Sequence, residues 1–127
     1  MRLLVCGGRN FRDKAALDAV LRKTLPDWTM TPHTIIHGGA SGADTLAGEW
    51  AAVNGCRCEV FPADWSKHGR AAGPIRNRQM IEEGRPDHVL AMAGGAGTQN
   101  MISQAIKYGL TVHLVPETTD TPKETDT

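Results

Sequence analysis

Three glycines stand within the eight residues His37-Gly38-Gly39-Ala40-Ser41-Gly42-Ala43-Asp44, directly after the β-branched run Thr34-Ile35-Ile36 and directly before a helical pattern. Glycine carries no Cβ, so such a stretch can turn tightly and let its backbone approach another group closely. The helix that follows leaves its first N–H groups without intrahelical partners and points its positive dipole end at the same spot. A strand, a glycine loop and a helix N-terminus in that order can hold phosphate or another anion. They can equally form a tight turn that binds nothing, and one short glycine motif does not decide between the two.

The pattern recurs along the chain. Arg2-Leu3-Leu4-Val5-Cys6 is a continuous apolar run ending in Gly7-Gly8-Arg9, as expected of a strand buried on both faces. Asp13 is placed to cap a helix whose apolar face is Leu17, Val20, Leu21 and Leu25, and Pro26 to Pro32 reads as a surface loop. After the central loop, Ala43, Leu46, Ala47, Trp50 and Ala51 recur at helical spacing up to Asn54-Gly55. Arg57 to Phe61 is the third strand, and Pro62 to Gly73 a long polar connection. A helix entered at Pro74 runs to about Glu83. Val89-Leu90-Ala91 lies in a fourth strand, followed by Gly94-Gly95-Ala96-Gly97-Thr98 and the stripe Met101, Ile102, Ala105, Ile106. Thr111 to Val115 is the fifth strand. Five strands alternating with four helices predict one α/β domain over residues 1–116, a Rossmann-like three-layer fold with a parallel five-stranded sheet in the order 3-2-1-4-5. Residues 117–127 are polar throughout and read as a disordered tail.

Such sheets bind ligands beyond the carboxyl ends of their strands, at the topological switch point. All three glycine clusters follow strands, which places them on that edge together and favours a binding site there.

Composition narrows the class. The 127 residues include 14 Lys and Arg against 14 Asp and Glu, a net charge of zero. That balance argues against a protein that coats nucleic acid, which needs a basic surface. Cys6, Cys56 and Cys58 give neither a disulfide framework nor a zinc knuckle, and His33, His88 and His113 show no ligand spacing, so no metal site and no cofactor are predicted. The chain begins without a signal-peptide pattern and has no apolar run of spanning length, so a soluble cytoplasmic protein with no membrane partner is expected.

On the expected edge, Trp65 offers a flat face for a base or ribose, or else folds back into a small core of its own. Asp64 can accept from ribose hydroxyls or cap a turn. Arg9, Arg70, Arg76 and Arg78 lie on or beside the edge, and an arginine fork suits phosphate. Arg76 is the foremost of these, because it falls in the expected first turn of its helix, where a bare cation is disfavoured unless an anion arrives. His37 ends a strand and can serve as acid, base or donor, or be a packed histidine.

Gly7-Gly8-Arg9 with Phe11 and Asp13, the loop His37 to Asp44 with Trp50-Ala51, Pro62-Ala63-Asp64-Trp65, Ala72-Gly73-Pro74 with Arg76-Asn77 and Met80, and Gly94 to Thr98 together resemble the YspA-like (cpYpsA-related) family of the SLOG superfamily. That Rossmann-like group includes the SMF/DprA proteins and the LOG phosphoribohydrolases. The resemblance implies a nucleotide-type ligand, with Gly8, Arg9, His37, Gly38, Gly39, Ser41, Gly42, Asp44, Asp64, Trp65, Arg76, Asn77, Gly94, Gly95, Gly97 and Thr98 as the candidate binding residues. LOG enzymes cleave the N-glycosidic bond of nucleotides with an arginine, matched here by Arg76, and a glutamate after a Pro-Gly-Gly-x-Gly-Thr motif. In this chain Ala93 replaces that proline and Met101 stands at the glutamate position. An oxocarbenium-like transition state needs a carboxylate, so Asp44, Glu49 or Asp64 would have to supply it. Three readings stand open: a nucleotide sensor or sequestering protein, a LOG-like hydrolase, and DprA-like single-stranded DNA binding. Relatives pair through helices, so a homodimer is implied as well.

Overall fold

The computed structural model describes residues 1–25 and 33–115. The expected loop at Pro26 to Pro32 and the expected tail lie outside the described residues. In chain order the elements are β1 (Arg2–Cys6), α1 (Lys14–Thr24), β2 (Thr34–His37), α2 (Ala43–Val53), β3 (Arg57–Val60), α3 (Trp65–His68), a 3-10 turn (Gly69–Ala71), α4 (Ala72–Glu82), β4 (His88–Ala91), α5 (Ala96–Lys107) and β5 (Thr111–Leu114). The strands form one parallel sheet in the order β3-β2-β1-β4-β5, as the alternation of apolar runs and amphipathic segments predicted.

β1 divides the core. Leu3 and Val5 point to one face and join Leu17 and Leu21 of α1, Ala47 and Trp50 of α2, and Leu90 of β4. Leu4 and Cys6 point to the other, against Met80 and Ile81 of α4 and Met101 and Ala105 of α5. The continuous run Leu3-Leu4-Val5 is therefore apolar on both sides for a reason: it is the middle strand, with no exposed face. β3 is an edge strand and mostly exposed.

The sequence misplaces three details. The Pro62 to Gly73 connection is not wholly irregular, because Asp64 caps the one-turn helix α3, giving five α-helices among the described residues where four were expected. α4 begins at Ala72, two residues before Pro74, so Arg76 lies in its second turn and not at a bare helix end. Ile106, assigned to the apolar stripe of α5, is 63% exposed. Among the described residues no helix is long and apolar enough to cross a membrane.

Leu90, fully buried on β4, touches the layer that α1 closes. Leu90→Ala is expected to destabilise the fold by about 2–5 kcal/mol in urea titration, the usual cost of a cavity in a packed core. A loss below half of that would show that the two-sided core is not what holds the sheet.

Candidate functional site

Asp44, in the first turn of α2, turns its carboxylate back into the loop before it. Oδ2 accepts from the N–H of Gly38 at 3.0 Å and of Ala40 at 3.3 Å. The N–H between them, on Gly39, donates to Nδ1 of His37 at 3.0 Å. Three successive loop amides are thus held by the protein's own side chains. Asp44 is buried, and burial pushes its pKa above the ordinary carboxylate value, against the pull of the Ala40 amide, His37 and Arg76. His37 is buried as well, and burial lowers its pKa, opposed by Asp44 and reinforced by Arg76. A Cβ on Gly48 would come within 2.8 Å of its Nε2, so the glycine makes room for the ring. His37 is a packed histidine beneath the loop.

Arg76 clamps the loop from the other side, donating from Nη1 to the carbonyl of Gly38 at 2.6 Å and from Nε to Oδ1 of Asn77 at 3.1 Å. Burial lowers its pKa, Asp44 raises it, and the charge of Arg9 lowers it again. Buried Asn77 donates to the carbonyl of Gly97 at 3.2 Å and to Asn100 at 3.1 Å. Through Arg76 and Asn77, α4 links the second and third glycine loops.

Several of the loop glycines are required by contacts within the protein. Gly42, at φ +80°, lies against Gly8 and Arg9, where an added Cβ would meet the Gly8 carbonyl oxygen at 2.2 Å. Gly8 donates to the carbonyl of Ala93 at 2.8 Å, and a Cβ on Gly94 would meet the Gly8 nitrogen at 2.6 Å. The loops after β1 and β4 therefore fill the switch point with their own backbone.

The open space lies to one side of it, over the carboxyl ends of β1, β2 and β3. A cleft of about 260 Å³ is lined there by Arg9, Gly38, Gly39, Ala40, Ser41, Pro62, Ala63, Trp65 and Arg76. Trp65 is 49% exposed, and the Arg9 guanidinium stacks over its ring at 5.6 Å from the centroid. Two arginines and one aromatic face thus border a polar backbone. Among the described residues the N–H groups of Ser41 and Gly42 make no hydrogen bond, so they remain available at the mouth of α2.

Of the sequence-predicted residues, Arg9, Gly38, Gly39, Ser41, Trp65 and Arg76 come together in this cleft. Gly8, His37, Gly42, Asp44 and Asn77 shape or brace it from beneath. Gly94, Gly95, Gly97 and Thr98 do not line it; Gly95 and Gly97 face open space at the start of α5, and Thr98 is buried. Asp64 is engaged with Ser66 Oγ at 2.8 Å and the Lys67 N–H at 3.1 Å, and the bond from Ser66 lowers its pKa. Glu49 is an exposed residue of α2, Arg78 pairs with Glu82 on the outside of α4, and Arg70 is exposed. Met101 is fully buried among Leu4, Met80 and Val89. Cys6, below the loop, has its thiol pushed up to about 12 by burial and by Asp44, and is no nucleophile. Sequence reasoning missed Ala40, Pro62 and Ala63 as cleft walls, since small residues in a loop carry no chemical signature. A larger groove of about 730 Å³ runs between α4 and α5, lined by Pro74, Ile75, Arg78 and Tyr108 among others. It has no glycine-loop backbone, and its Arg78 is already paired.

The fold and cleft define a Rossmann-like protein with a small cation-bordered site at the carboxyl edge of its sheet. The chain belongs to the YspA, cpYpsA-related SLOG family, whose model YAcAr matches residues 1–68. It is also 35% identical over 122 residues to the "Gene 61 protein" of Mycobacterium phage D29, an alignment spanning 87% of this chain and 93% of that protein. The family match carries Arg9, the Gly38 loop and Trp65; Arg76 and the Gly94 loop lie beyond it.

A buried neutral His37 has a consequence in solution. Its unfolded pKa is near 6.5 and its folded pKa is lower, so below about pH 6.5 the unfolded chain binds more protons and stability decreases as the pH is lowered. The melting temperature of the wild type is expected to drop between pH 7 and pH 5 more steeply than that of His37→Gln, whose amide oxygen can still accept from Gly39. Parallel curves would contradict the packed, neutral assignment.

Proposed function

We propose that the chain binds a small nucleotide-type anion in the cleft and acts as a sensor or sequestering protein. One observation carries this: the guanidinium groups of Arg9 and Arg76 border the same 260 Å³ space, and none of its lining residues is acidic. Burial and the nearby Arg9 charge both work against the Arg76 cation, and an anion seated between the two arginines would relieve that. The ring of Trp65 supplies a face for a base, and Ser41 with the Ser41 and Gly42 amides supplies donors for phosphate. A volume near the lower end of the usual range for ligand pockets suits a mononucleotide better than a dinucleotide.

The hydrolase reading is less well supported. Asp44 is held by two loop amides, Asp64 caps α3, Glu49 does not line the cleft, and Met101 packs in the core. A cytoplasmic setting goes with the binding reading, since Cys6, Cys56 and Cys58 are all free thiols.

Calorimetry against a panel of nucleoside mono- and diphosphates is expected to give at least one ligand binding tighter than millimolar. Arg76→Ala should weaken it at least about tenfold, as charge-assisted hydrogen bonds are worth roughly 1.5–3 kcal/mol. Arg76 also holds the Gly38 carbonyl, so Arg9→Ala is the cleaner variant: it removes a cation whose side chain makes no protein hydrogen bond among the described residues, and should weaken binding while costing the fold no more than about 1 kcal/mol for the lost contact with Trp65. No binding across the panel, or salt-sensitive binding of oligonucleotides alone, would overturn the reading. Free base released on long incubation would restore the hydrolase.

A further inference from the structure

We propose that His88 and His113 form a binding site for a divalent transition-metal ion, with Cu(II) the best suited. The sequence shows these residues 25 positions apart with no ligand spacing, but the sheet brings them together. β4 and β5 pair in parallel, with Leu90 opposite His113 and His88 opposite Thr111. Residues two apart on a strand share a face, so both imidazoles stand on the side of Leu90. That side is the face of α1 and α2, because Leu90 packs with Leu17 and Leu21 while Val89, Ala91 and Val112 pack with Met101 of α5. On the diagonal, Nδ1 of His88 lies 2.8 Å from Nε2 of His113, with ring planes 19° apart and centroids 5.0 Å apart. His88 is half-buried and His113 exposed on the edge strand, so an ion can reach the pair and the outer ring can turn.

The resting separation lies nearer one coordination geometry than the other, and the exposed His113 ring has only a small movement to make. Imidazole nitrogens bind first-row metals at about 2.0–2.1 Å, and at that length two nitrogens 2.8 Å apart subtend roughly 85–90° at the ion. These are neighbouring positions of a square-planar or tetragonal site, whereas tetrahedral zinc would need the nitrogens about 3.3 Å apart. Cu(II) also stands highest in the general affinity order for nitrogen ligands. Without an ion, one ring donates its N–H to the other. On binding, the donating ring gives up that proton and takes one from solvent on its other nitrogen, so it stays neutral, and the His113 ring swings so that both lone pairs meet on the metal. The two imidazoles are the protein ligands proposed here, with water at the remaining positions. The ligands come from adjacent strands, and the ion therefore clips the edge strand β5 to β4. The unfolded chain does not hold the two rings together, so occupancy stabilises the fold. His88 opens β4 at the strand end away from the cleft, which makes this site separate from the nucleotide reading.

The test is titration of metal-free full-length protein with Cu(II), Ni(II) and Zn(II), followed by calorimetry and by electron paramagnetic resonance of the copper form. The expected result is one Cu(II) per chain with two imidazole nitrogens in its hyperfine pattern, the affinity order Cu(II) over Ni(II) over Zn(II), and a melting temperature raised by saturating Cu(II). His88→Asn and His113→Asn should each weaken Cu(II) binding at least tenfold. His113 is exposed on the edge, so His113→Asn keeps the test intact even if the half-buried His88 variant fails to fold. Copper binding that survives both substitutions, as it would at the Met1 amine and His33, overturns the proposal. So does tighter binding of Zn(II), or no binding at all.

Discussion

Everything at the carboxyl edge depends on the carboxylate of Asp44 reaching back to the N–H groups of Gly38 and Ala40. A glycine loop left alone would sample many shapes, since each glycine loses more freedom on ordering than any other residue. Asp44, the His37 ring and the Arg76 guanidinium reduce that freedom to one shape, the first two by accepting the loop's N–H groups and the third by donating to a loop carbonyl. The position of the loop fixes the rest: Gly42 can then approach Gly8, Gly8 can bond Ala93, and Asn77 can bond Gly97. One buried acid thus sets the arrangement of three loops.

The same interaction changes how the loop can serve a ligand. Glycine loops before helices commonly cradle phosphate with their own N–H groups. Here the N–H groups of Gly38, Gly39 and Ala40 face inward onto Asp44 and His37, and the cleft beside them is lined by Arg9, Arg76 and Trp65. Such a lining is the ground on which the nucleotide reading is proposed.

The sheet order was legible because each strand is a short apolar run and each crossover has a helical stripe, with the middle strand apolar throughout. The edge that carries the glycine loops followed from that order. The start of α4 was not legible, since Pro74 suggested an N-terminus that Ala72 and Gly73 precede, and the first-turn argument for Arg76 fell with it. Nor was the inward turn of Asp44: an aspartate in a first turn reads as a complement to the helix dipole, and only three-dimensional packing shows which amides it meets. The glycines signalled close approach correctly but not its partner, which is chiefly backbone of the other loops. The meeting of His88 with His113 depends on strand register, which no local pattern encodes.

The most direct measurement is amide and indole chemical-shift mapping of the isotope-labelled protein titrated with nucleoside mono- and diphosphates. The expected result is a set of shifts confined to Arg9, Gly39 to Gly42, Ala63 and the Trp65 indole, reporting the cleft over β1, β2 and β3. Shifts centred instead on Ile75 and Tyr108 in the α4–α5 groove, or no shifts at millimolar nucleotide, would contradict it.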